Sequence, residues 1–401
     1  MREIKNDIPE KNTFAALVTG KGSGAISTIE VFGDSAQDVL NKIFKSSGTA
    51  QTTFNIGQIL LGIIGDGEKT IDQVTIGCEK PDTYAINCHG NPLIVEMIMQ
   101  LLERYGVEIL SDEQLRLEIL SRRSDLNSIA LEAKLYQSKT IHGTKIISNQ
   151  AKAGLSKKAK GWLENINKIS LDKIMAEAGE IHEKSHTAKL IIYGCTAILV
   201  GPPNSGKSTL LNFLSGRQKA IVTDIKGTTR DWITAQCQIG PLSVELIDTA
   251  GLDELILEAG SAIDKTAQNK SIELLQKADL ILLILDKNRE ADESDYNFTE
   301  KISGKKIITV LNKADLNTRF NTNRLPEYLS NTVSISAKKG IGIENLKNTI
   351  LATTGTESFD LHQGVCFTAR QENLIQQLLD SKTPQQAVSV ITELLNGRVC
   401  V

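Results

Sequence analysis

Gly201-Pro-Pro-Asn204-Ser205-Gly206-Lys207-Ser208-Thr209 contains the pattern G-x-x-x-x-G-K-[ST], set between an apolar run (Ala197–Val200) and a helical run (Ser208–Leu214). Strand, glycine-rich turn and helix in that order build a phosphate cradle. The glycines let backbone N–H groups approach phosphate oxygens, and the helix N-terminus favours an anion. Lys207 is placed to reach the β- and γ-phosphates and the Ser208 hydroxyl to bind Mg²⁺, while Asn204, Ser205, Gly206 and Thr209 complete the nucleotide-binding turn. From Leu190 to about residue 352 the strand, turn and helix pattern repeats, which predicts a doubly wound α/β domain over residues 191–355.

Further motifs follow in the order that a GTP site needs. Asp248-Thr-Ala-Gly251 ends the apolar run Val244–Ile247; Asp248 is suited to hold Mg²⁺ through water, and the Gly251 N–H to meet the γ-phosphate. Asn312-Lys313-Ala-Asp315 follows the run Lys306–Leu311. The Asp315 carboxylate matches the guanine ring N–H and exocyclic amine, a donor pair that adenine lacks, and the Lys313 stem suits the face of the base. Ser336-Ala337-Lys338, after Thr332–Ile335, supports the base from the other side. Between the phosphate loop and Asp248 lies Ala220-Ile-Val-Thr-Asp-Ile-Lys-Gly-Thr-Thr-Arg-Asp231, a switch candidate in which Thr229 completes the Mg²⁺ shell only when the γ-phosphate is present. Leu252 stands where Ras-like proteins carry a water-orienting glutamine, so hydrolysis needs another group.

Outward from this core, 401 residues at roughly 150 per domain predict about 2.7 domains. The composition, 40% hydrophobic and 23% charged, is that of a folding chain, and a net charge of -3 excludes a generic nucleic-acid coat. The charged start Met1–Glu10 has no apolar core of the signal-peptide kind, and the longest apolar runs, such as Leu280–Leu285, are too short to span a bilayer. Cytoplasmic location without membrane insertion is expected, with six cysteines that form no C-x-x-C pair kept reduced. Residues 1–110 read as an α+β domain, with strand-like runs at Thr13–Val18, Ala25–Phe32, Asn55–Ile64, Gln73–Cys78 and Tyr84–Cys88. One helix is expected from Ser35 as N-cap, burying Val39, Leu40 and Ile43; a second starts at Pro92 and carries Ile94, Met97, Ile98 and Leu101 on its apolar face. Residues 111–190 have the spacing of a helical bundle, which resumes in a short second part over 356–401. The nucleotide domain is then an insertion into that bundle.

Taken together, these motifs resemble the tRNA-modifying GTPase family called MnmE or TrmE. The likeness rests on Gly201 to Asn212, Ala220 to Asp231 and Asp248 to Leu252, with looser matches at Gly22 to Gly33 and at Cys88-His89-Gly90. It implies an amino-terminal folate-binding and dimerisation domain, and a helical domain into which a Ras-like P-loop GTPase is inserted. It implies a homodimer that modifies C5 of the tRNA wobble uridine with an FAD-dependent partner protein, and K⁺ held by Asn204, Thr223, Ile225 and Thr228 where an arginine finger otherwise acts. The family's catalytic glutamate aligns with Asp264, beside Thr229 and Gly251 in the catalytic set, or with Glu258 if the alignment slips. Three features depart from the family, one of them the absence of its Arg-Pro-Gly-Glu-Phe stretch near the start of the helical domain. Glu30 stands where an arginine is usual, which reverses the charge offered to an anionic folate, and the chain ends at Arg398-Val-Cys400-Val401 in place of Cys-x-Gly-Lys.

Three further features have plain readings. His182-Glu183-Lys184-Ser185-His186 fits H-E-x-x-H, but no third histidine follows at useful spacing, so a solvated helix face is expected. Lys21-Gly-Ser-Gly24 lacks a following Lys-Ser and helix and reads as a hairpin turn. His89 is a ligand-pocket position by resemblance or a turn histidine. Two functions follow from these features: the tRNA-modifying GTPase, or a diverged GTPase switch that signals to another protein or RNA without the tRNA chemistry.

Overall fold

The computed structural model describes residues 13–20, 22–48, 54–67, 69–123, 125–216, 221–223, 232–248, 275–290 and 304–399, with 292, 293, 296 and 299. It divides into two compact units, Met1–Leu126 with Arg398–Val401, and Asn127–Gly397.

In the first unit, β1 (Thr13–Leu17), β2 (Ile26–Gly33), β3 (Phe44–Ser46), β4 (Ile59–Asp66), β5 (Lys69–Lys80), β6 (Thr83–His89) and β7 (Glu108–Ile109) form one sheet in the order β3-β4-β5-β6-β2-β1-β7. All pairs are antiparallel except β1 with β7. The long strands follow the expected runs; β3 and β7, three and two residues long, carry too little alternation to be seen in the sequence. One face is covered by α1 (Ala36–Ile43) and α2 (Pro92–Arg104), which share a core with Ile29, Val31, Val74, Ile76, Tyr84 and Ile86.

Two expectations need correction here, and one holds in part. Ser35 takes the expected N-cap position of α1, its carbonyl accepting the Val39 N–H at 3.0 Å, but its side chain makes no capping hydrogen bond. The buried face of α2 is Val95, Ile98, Leu101 and Leu102, with Met97 exposed, because apolar residues nearly encircle the helix and periodicity alone does not select a face. The helix α3 (Asp112–Arg123), expected to open the bundle, belongs to the first unit. Its one fully buried residue, Leu115, packs with Phe14, Ala16 and Phe32, while Arg122 and Arg123 lie 5.1 Å from the ring centroids of Phe14 and Phe32 respectively.

The second unit holds helices α4 (Ser128–Leu135), α5 (Ile141–Lys152), α6 (Leu155–Glu164) and α7 (Leu171–Tyr193). After them come β8 (Cys195–Val200), α8 (Lys207–Ser215), β9 (Ile221–Thr223), β10 (Trp232–Ile239), β11 (Leu242–Asp248), β12 (Leu280–Asp286), β13 (Ile307–Asn312), β14 (Thr332–Ser334) and α9 (Ile343–Thr354). The sheet order is β14-β13-β12-β8-β11-β10-β9, parallel except where β10 meets its neighbours. The non-consecutive neighbours β8 and β12 place the loops after them at the carboxyl edge where such sheets bind ligands. The chain ends in α10 (Ala369–Leu379) and α11 (Pro384–Asn396), each capped by a threonine side chain, Thr368 and Thr383.

Helices on both sides of the sheet in sequence meet in one apolar core, which runs from Ile146, Trp162 and Ile181 to Ile375 and Ile391, and on to Leu199 and Leu282 of the sheet. At its polar centre Glu132, 1% exposed, accepts from Arg370 Nε (3.0 Å) and Nη2 (3.1 Å), Thr368 Oγ1 (2.9 Å) and Gln371 Nε2 (2.6 Å). Removing one member of such a set leaves the others buried and unpaired. Glu132→Gln is expected to lower unfolding free energy by about 3 kcal/mol in urea titrations, and a loss below about 1 kcal/mol would contradict this role.

Candidate functional site

The loop from Gly201 to Gly206 runs from the end of β8 to the start of α8. Gly201 has φ 139°, and a Cβ there would lie 2.1 Å from the Ile284 carbonyl oxygen; at Gly206, φ 99°, it would lie 2.2 Å from Asn312 Nδ2. Both positions therefore require glycine. Gly206 caps α8 without a side-chain hydrogen bond, so no side chain competes with an incoming anion for the first N–H groups. Lys207, buried, donates through Nζ to the carbonyls of Gly201 (2.7 Å) and Pro202 (3.1 Å), which lays its ammonium across the loop. Asn204 and Thr209 are exposed on the same loop and helix, and Asn204 takes a left-handed backbone, φ 61°.

Ser208 Oγ donates to Asp248 Oδ2 at 2.5 Å, joining the start of α8 to the end of β11. Asp248 is 1% exposed, and its Oδ1 has no hydrogen-bond partner among the described residues. A hydroxyl beside a buried carboxylate with an unpartnered oxygen is the oxygen donor set of a hard cation, so these residues fit Mg²⁺.

At the other end, Asn312 is buried and joins two loops. Its Nδ2 donates to the Ser205 carbonyl at 2.8 Å, and its Oδ1 accepts the Ala337 N–H at 3.0 Å. Lys313 has φ 63°, and its Nζ lies 2.7 Å from Asp286 Oδ2. The Asp315 carboxyl is held below the usual carboxylate range, first by the Ser336 hydroxyl and further by Lys339, whose Nζ is 3.5 Å away. It is therefore an ionised acceptor at neutral pH. Ser336 and Ala337 are buried and Lys338 is exposed. The sequence singled out Lys338 but not Lys339, the lysine that reaches Asp315, nor Asp286; adjacent lysines look alike in a motif, and Asp286 hides at the end of an apolar strand.

The structure thus brings together the phosphate loop, Asp248, the Asn312 to Asp315 turn and the Ser336 to Lys338 loop. Ile225, Thr228, Thr229, Gly251, Glu258, Asp264 and Cys400 lie outside the described residues, and Thr223 is placed by backbone alone, opposite Trp232. His182 and His186 are exposed on α7, and among the described residues no group of three His, Cys, Asp or Glu side chains is arranged to hold a metal. In the first unit, His89 Nδ1 is 2.7 Å from the Asp72 carboxylate at the rim of a cavity of about 200 Å³ lined by Ile26, Leu61, Gln73 and Asn87. Glu30 is half-buried, and its carboxyl is raised above the ordinary range by burial and then by the Glu79 and Asp112 carboxylates.

Two family models match the chain: the 50S ribosome-binding GTPase over residues 196–313, and the GTP-binding protein TrmE N-terminus over residues 13–112. The tRNA modification GTPase MnmE of Clostridioides difficile strain 630 is 30% identical over 375 residues, 84% of this chain and 81% of the relative. Its counterpart in Thermoanaerobacter sp. strain X514 is 31% identical over 380 residues, again 84% and 81%, and that of Bacillus subtilis strain 168 is 29% identical over 392 residues, 87% and 84%. Among solved structures, the G domain of the T. maritima FeoB iron transporter is 27% identical and covers 40% of this chain and 99% of its own, at a TM-score of 0.34 that carries no argument. With a phosphate loop in its structural context and this likeness over most of its length, the chain belongs to the MnmE family of tRNA modification GTPases.

Proposed function

We propose that this chain uses the site above to bind GTP with Mg²⁺, hydrolyses it to GDP, and couples that cycle to modification of C5 of the tRNA wobble uridine. The observation that carries the reading is the turn that begins with Asn312, whose side chain joins the Ser205 carbonyl to the Ala337 N–H and which carries the Asp315 carboxylate 3.5 Å from Lys339 Nζ. Guanine offers two donors to such an acceptor, and adenine leaves it unpaired at a high cost. Lys313 covers the base, Ser336, Ala337 and Lys338 close its far side, and Asn204, Ser205, Gly206 and Thr209 line the phosphates. Lys207 balances the charge of the β- and γ-phosphates. Ser208, Asp248 and Thr229 would hold Mg²⁺, which would supply positive charge to the phosphates. Gly251 meets the γ-phosphate, and Asp264, or Glu258, orients the attacking water.

K⁺ belongs to the same reading, held by Asn204, Thr223, Ile225 and Thr228, where it supplies the charge that Leu252 does not. So do a homodimer, an FAD-dependent partner protein, a cytoplasmic location, and a P-loop domain at about 191–355 inserted between two parts of a helical domain. No helix among the described residues is long and apolar enough to cross a membrane.

The folate that the family implies loses one cation at Glu30, where an arginine is usual. The Glu30 carboxyl has two acids, Glu79 and Asp112, and two arginines, Arg116 and Arg123, as its charged neighbours, so the cation that the family places at this position is replaced by a carboxyl in a mixed-charge setting. That observation favours a second reading, a GTPase switch that has kept its nucleotide cycle and lost the one-carbon chemistry.

Two measurements test the nucleotide reading. Asp315→Asn replaces an acceptor with a donor and is expected to lower kcat/KM for GTP by about 100-fold while improving use of xanthosine triphosphate. Unchanged GTP kinetics would remove Asp315 from the base site. Hydrolysis by the full chain is expected to run about tenfold faster in KCl than in NaCl of equal ionic strength, and equal rates would remove the K⁺ assignment.

A further inference from the structure

We propose that Asp286 is a positioning residue for the base end of the nucleotide site and acts through Lys313. β12 ends on Asp286 and β13 on Asn312, and their parallel register sets these two residues side by side. The chain leaves β13 through Lys313 in a left-handed conformation, φ 63°, with its ammonium 2.7 Å from Asp286 Oδ2. The strain of that backbone in a residue with a side chain persists only where the surroundings fix it. The partner carboxylate is itself anchored. Asp286 Oδ1 accepts the Asn288 N–H at 2.9 Å, and the Lys287 N–H donates to the Asn312 carbonyl at 2.9 Å, which ties the two strand ends together.

The neighbouring cation is engaged elsewhere: Lys287 Nζ donates to Ser334 Oγ at 3.2 Å. Asp286 is 17% exposed and Lys313 33% exposed, so the pair is partly withdrawn from water and is less screened than a fully surface-exposed pair. A lysine stem has many rotamers, and ordering it on binding costs affinity. Held by Asp286, the stem is ordered before the base arrives. The role rests on the reading above in which Lys313 covers guanine, and it adds a residue that lies outside every nucleotide motif in the chain.

The test is a double-mutant cycle on the full chain, read by the dissociation rate of mant-GDP in Mg²⁺ and by the KM and kcat for GTP. Asp286→Asn is expected to speed mant-GDP release about tenfold and to change KM more than kcat. Lys313→Ala gives an effect at least as large, and the double variant matches Lys313→Ala alone. Asp286→Glu, which restores the charge, is expected to recover most of the wild-type release rate, and this arm stands if the asparagine variant fails to fold. Release from Asp286→Asn at the wild-type rate would overturn the proposal while leaving the base site in place. So would an Asp286→Asn effect that persists in full on the Lys313→Ala background, the signature of a merely structural residue. Failure of the wild-type chain to bind mant-GDP would overturn the base-site reading itself, and Asp286's role with it.

Discussion

The site depends on one buried side chain. Asn312 spends its amide donor on the Ser205 carbonyl of the phosphate loop and its amide acceptor on the Ala337 N–H of the loop beyond β14. The phosphate loop and the Asn312 turn lie more than 100 residues apart in sequence, and this single planar group joins them. An unsatisfied partner at a site this buried costs about 1–3 kcal/mol, so the joint has one arrangement and the loops inherit it. The requirement for glycine at position 206 follows from the same contact, since a Cβ there would collide with the amide.

Around that joint, the sheet supplies rigidity and the helices supply continuity. β12 and β13 are buried along nearly their whole length, so Asp286 and Asn312 project from fixed strand ends. The same apolar core extends into the helices before and after the sheet, and residues 363–371 stitch the two helical segments together. Gln150 accepts the Val365 N–H at 3.0 Å, the Cys366 N–H donates to Ser185 Oγ at 2.7 Å, and the Tyr193 hydroxyl donates to the Phe367 carbonyl. These bonds satisfy polar backbone that would otherwise be buried unpaired, which explains why an irregular segment is tolerated there.

The geometry of the candidate site was legible because its motifs encode backbone needs at fixed spacing: Gly201 and Gly206 fall where only glycine fits, Ser208 meets Asp248, and Asn312 joins two loops. The central strands of both sheets were legible from alternation or continuous apolarity. Features that depend on tertiary partners were not. Ser35 takes the N-cap position of α1 without a side-chain hydrogen bond, and Met97 looks buried until Val95 and Leu102 fill the core. The helix α3 carries enough Leu and Glu to pass for a bundle helix, and its place is fixed by Leu115 and by the rings of Phe14 and Phe32 beneath its arginines. Asp286 and Lys339 were invisible for a related reason, since a charge gains meaning only from the charge it meets.

The central claim is that a guanine-specific GTPase cycle in this chain serves tRNA modification. Its most direct test is mass spectrometry of the wobble uridines in tRNA from the source organism, with and without this gene. The account predicts loss of a C5 modification when the gene is removed; an unchanged wobble-uridine profile would contradict it.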